Sequence, residues 1–75
     1  MSKPSRAIER EIDDIEQWIA TVNEYLDVLD AAALNAAKDR NRRLQRVIQR
    51  KIDAQLVRLA ELQQRRTELH QQLGG

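Results

Sequence analysis

The chain has 75 residues, a third of them charged, with a formal net charge of +1, no cysteine, no phenylalanine, two glycines and one proline. That length allows one small domain, and so few turn-forming residues speak against a sheet protein. The lack of cysteine excludes a disulfide framework and a thiolate zinc site.

The N-terminal Met1-Ser2-Lys3-Pro4-Ser5-Arg6 runs straight into charged residues, without the apolar core of a signal peptide. Ser2 with Pro4 reads as a helix start, because proline is tolerated in the first turn. From there Ile8, Ile12, Ile15, Ile19, Val22, Leu26, Leu29 and Ala33 step by alternating fours and threes, an unbroken heptad seam. With a assigned to residues 12, 19, 26 and 33 and d to 8, 15, 22 and 29, position g holds Glu11, Trp18, Tyr25 and Ala32. The stripe is widened on one side only, by the two aromatic residues of the protein. Helix 1 is expected over about 4–34.

Residues 30–43 contain neither glycine nor proline, and their alanines favour helix. Asn35, Asp39 or Asn41 could cap a second helix. A tight loop within 33–41 is expected. Its rival is one continuous helix of roughly 100 Å pairing with a second copy.

Helix 2 is expected over about 36–73. Leu44, Ile48, Ile52 and Leu56 step by fours, and Leu59 and Leu62 follow by threes, a pattern read as a stutter in the seam. Gly74-Gly75 supplies the helix stop. No apolar run approaches the roughly 20 residues of a membrane span, so a cytoplasmic protein with no membrane partner is expected.

The apolar residues of the two halves mirror each other about Asn35. Leu26, Val22, Ile19, Ile15, Ile12 and Ile8 match Leu44, Ile48, Ile52, Leu56, Leu59 and Leu62, each pair of numbers adding to 70 or 71. A constant sum marks residues at one level of two antiparallel helices. The expected fold is therefore all-α, an antiparallel two-helix hairpin resembling a coiled coil and formed by residues 1–75 as one domain. In this register Leu69 and Leu73 overhang helix 1 and become a partner-binding extension.

A lone hairpin has no true interior, and Trp18 and Tyr25 face sideways from its seam. Together with Val47, Ala54 and Val57 they form the kind of apolar patch that marks an interface. The expectation is a homodimer, two hairpins in a four-helix bundle.

No catalytic constellation, metal set or cofactor motif is legible. His70 stands alone among glutamines, and the acids Glu9, Asp13, Asp14 and Glu16 lack any histidine and read as solvated charge. Residues 1–34 carry −5 and residues 35–75 carry +6, which favours pairing of the halves. Lys38, Arg42, Arg46 and Arg50 recur every fourth residue, flanked by Arg40, Arg43 and Lys51. The expected function is non-enzymatic: a self-associating adaptor or regulator that binds a partner protein. The alternative is a nucleic-acid-binding regulator using Lys38, Arg40, Arg42, Arg43, Arg46 and Arg50.

Overall fold

The computed structural model describes residues 5–74. The helix start expected at Ser2 and Pro4, and Gly75 of the helix stop, lie outside these residues. Two helices, α1 (Ser5–Lys38) and α2 (Arg42–Gly74), lie antiparallel against each other as a hairpin 60 × 15 × 13 Å in extent. Among the described residues the structure is thus all-helical, and the continuous-helix alternative does not describe it.

The reversal takes three residues and is built from hydrogen bonds. The N–H of Asn41 donates to the carbonyl of Ala36 at 2.9 Å, and that of Arg40 to the carbonyl of Ala37 at 3.1 Å. This pair of bonds is a Schellman motif, which requires a left-handed residue at its centre. Arg40 supplies it, with φ of 55°. Asn41 then caps α2: its Oδ1 accepts from the N–H of Leu44 at 3.1 Å, and its carbonyl accepts the first helical bond, from Gln45. Asn35 lies inside α1 and caps nothing. The run of alanines carries α1 to Lys38, and the seam has no apolar residue over the polar stretch 38–43, where the turn falls.

Moving the reversal from Asn35 to Arg40 changes the register of every pair. Counted outward from Arg40, Ile12 is level with Leu69, Ile19 with Leu62, Leu29 with Ile52 and Ala33 with Ile48. The packing agrees. Ile8, Ile12, Ile15 and Ile19 form one cluster with Leu69, joined by Leu59 and Leu62. Leu29, Ala36 and Ile48 form a second, joined by Ala32, Ala33 and Ile52. The mirror about Asn35 is therefore corrected to one about Arg40.

The seam of α1 is the one its heptads predict, extended by the buried Ala36. The seam of α2 is not the one expected. Leu44 and Leu56 are 44% and 49% exposed. The positions turned toward α1 are Gln45, Ile48, Ile52, Gln55, Leu59, Leu62, Arg66 and Leu69, all buried or half-buried. These step strictly by threes and fours, so the stutter is absent. A strict heptad on α1 meshes only with a strict heptad on α2. The polar side chains at 45, 55 and 66 sit in the seam on their aliphatic stems. Leu69, read as an overhang, is 1% exposed and lies against α1 in the first cluster. Leu73 is level with Ile8 and partly open.

Candidate interaction surfaces

In an antiparallel pair the g edge of one helix borders the g edge of the other. On α2, with a at residues 45, 52, 59 and 66, position g holds Leu44, Lys51, Arg58 and Arg65. Two observed contacts fix this border. Arg65 donates from Nε and Nη2 to Glu11 Oε2 at 3.1 and 3.0 Å. One heptad on, the Arg58 guanidinium lies 5.9 Å from the centroid of the Trp18 ring. By the same heptad spacing Tyr25 and Lys51, and Ala32 and Leu44, occupy the equivalent positions further along the border. Trp18 is nevertheless 55% exposed, because a two-helix rod has nothing to cover the outer side of this border.

The neighbouring c positions widen the border into a face. On α1 they add Thr21 and the exposed Val28; on α2 they add the exposed Val47 and Ala54. Trp18, Tyr25, Val28, Leu44, Val47 and Ala54 thus occupy one flank of the rod over its turn-proximal two-thirds. Val28 and Leu44 join the face beyond the residues expected from the sequence; Leu44 lies here and not in the seam. Val57 is exposed but stands at an f position, about 60° round α2 from Ala54 and nearly opposite the seam, at the margin of this face. A shallow groove at its upper edge is lined by Trp18, Arg58 and Leu62.

The charges separate along the rod rather than between the helices. Residues 30–51, the third nearest the turn, hold seven bases against Asp30 and Asp39, a net of +5. Within 5–29 seven acids oppose Arg6 and Arg10, a net of −5, and residues 52–74 balance. Lys38, Arg40, Arg42, Arg43, Arg46 and Arg50 are all exposed. Among the described residues none of them lies within 4.0 Å of a carboxylate. The ion pairs are Arg65 with Glu11 and Glu68, and Arg66 with Glu16. Among the described residues Asp30, Asp27 and Glu24 form no ion pair with the arginines of α2. Asp53 accepts instead from Gln49 Nε2 at 2.9 Å.

His70 is exposed, and among the described residues no helix is long and apolar enough to cross a membrane. Comparison with family models, curated proteins and solved structures finds no match to this chain.

Proposed function

We propose that this chain is a small non-enzymatic interaction module of the cytoplasm. It pairs with a second copy through the Trp18–Tyr25 flank to form a four-helix bundle, and the bundle serves a partner protein as adaptor or regulator. The observation that carries this reading is the convergence of Trp18, Tyr25, Val28, Leu44, Val47 and Ala54 on one side of a rod only 13–15 Å thick. Large apolar side chains gathered in one exposed patch mark an interface, whereas scattered ones do not. A second hairpin laid on this flank gives the pair the enclosed interior that one hairpin lacks.

Sedimentation equilibrium at micromolar concentration is expected to give a dimer. Trp18→Ala is expected to weaken association by tenfold or more, as aromatic anchors at interface centres commonly contribute over about 1–2 kcal/mol, while leaving helicity near that of the parent. A clean monomer with a cooperative melt overturns the reading, and so does an unchanged dimer constant in Trp18→Ala.

A further inference from the structure

The basic third of the rod is not part of the apolar flank. Arg43 and Arg50 occupy f positions on the back of α2, Arg46 a b position and Arg42 an e position. They cover the side of α2 turned away from Trp18 and Tyr25, so a second hairpin on the apolar flank leaves them open. Three observations then bear on what meets them.

Among the described residues these cations have no carboxylate partner. Arg50 has an acid three residues on, Asp53, yet that carboxylate is held by Gln49. Exposed like charges crowded on three helical turns repel one another, and only an external polyanion or salt relieves that field.

A donor-lined depression accompanies them. Arg42, Gln45, Arg46 and Gln49 surround a shallow hollow where α2 leaves the turn. All four lining side chains belong to α2, so the hollow is a feature of this one helix. Guanidinium and amide groups offer hydrogen-bond donors suited to phosphate oxygens, and guanidinium engages them bidentately.

The basic face of α2 carries no aromatic residue. Both aromatic residues are on the opposite flank, so bases of a single strand have nothing here on which to stack. Leu44 and Val47 do stand exposed beside the arginines, so an anionic lipid surface is the competing partner that the vesicle arm of the test below addresses.

From these we infer that the outer face of α2 next to the turn, centred on Arg42, Arg43, Arg46 and Arg50, binds the phosphate backbone of a nucleic-acid duplex. The contact is electrostatic and reads no sequence, because the side chains that could reach base edges are too few on one exposed helix side.

Fluorescence anisotropy of a labelled DNA duplex, with an RNA duplex of the same sequence as a second arm, tests this on the full chain. Four phosphate contacts imply roughly a hundredfold loss of affinity between about 50 and 200 mM salt. In R46Q/R50Q that loss is expected to fall to roughly tenfold, with weaker binding throughout. The matched variant R6Q/R10Q removes two positive charges from the open end and is expected to retain the parental affinity and salt slope. Circular dichroism confirms that each variant is helical; all four side chains are exposed. The inference is overturned by no binding at low salt, by an R46Q/R50Q slope equal to the parent's, or by an equal loss in R6Q/R10Q. Binding to polyglutamate or to anionic vesicles as tight as to the duplex overturns it as well. The readout is separate from sedimentation, so it stands or falls independently of the dimer.

Discussion

Arg40 holds the hairpin together from a position its side chain does not favour. A non-glycine residue in the left-handed region costs about 1–2 kcal/mol, and the two Schellman bonds and the Asn41 cap outweigh that cost. Arg40→Gly is therefore expected to raise stability toward urea by about 1 kcal/mol. Asn41→Ala is expected to lower it by about 1 kcal/mol, because the N–H of Leu44 loses its acceptor. A pair of urea melts reads both; changes of the same sign contradict this account of the turn. Ion pairs matter less. Arg65 and Glu11 are each about half exposed, so solvent screens most of their attraction despite good geometry.

At the scale of the helices, hydrophobicity and heptad position disagree, and position wins. Leu56 and Leu69 are the same residue type, yet one is half exposed and the other almost wholly buried. Leu69→Ala is expected to destabilise by about 2–4 kcal/mol, and Leu56→Ala by less than about 1. Equal losses in thermal unfolding would return Leu56 to the seam. The contrast also explains what the sequence shows and what it hides. The seam of α1 is legible because every position in it is apolar. That of α2 is obscured because Gln45, Gln55 and Arg66 occupy seam positions while Leu44 and Leu56 flank them, and a reading by apolarity alone follows the leucines. The turn is hidden for a related reason: it contains no glycine, and its left-handed residue is an arginine. An error of five residues in the centre of the mirror then moved every partner on α2 by about ten. The aromatic side of α1 was readable throughout, because it depends on one helix and not on the register of two. Polar side chains in a seam lower stability but define register and orientation, so the same glutamines that obscure the pattern help to fix the pairing.

The whole molecule is a rod that is acidic toward its open end and basic toward its turn. Two such rods laid side by side are attracted when antiparallel and repelled when parallel. The centre of the apolar flank lies near Tyr25 and Ala54, both about fourteen or fifteen residues from Arg40. A two-fold axis there places the acids near Asp13 and Asp14 of one copy toward the turn of the other. Because the chain has no cysteine, a single introduced thiol reports the alignment. Ala54→Cys is expected to form a disulfide with its own copy on mild oxidation, and Gln72→Cys, on the same side at the open end, is expected not to. Efficient crosslinking of both would indicate parallel rods. The distribution of the core has a mechanical consequence of another kind. Ile8, Ile12, Ile15 and Ile19 are clasped by Leu59, Leu62 and Leu69 at the end farthest from the turn, while the turn end is packed with alanine. A load applied across the two chain ends meets the firmest part of the molecule first. Once that clasp gives, the turn-side cluster of Leu29, Ala36, Ile48 and Ile52, with its smaller side chains, carries what load is left. Under tension the larger aliphatic cluster is thus met before the alanine-rich one.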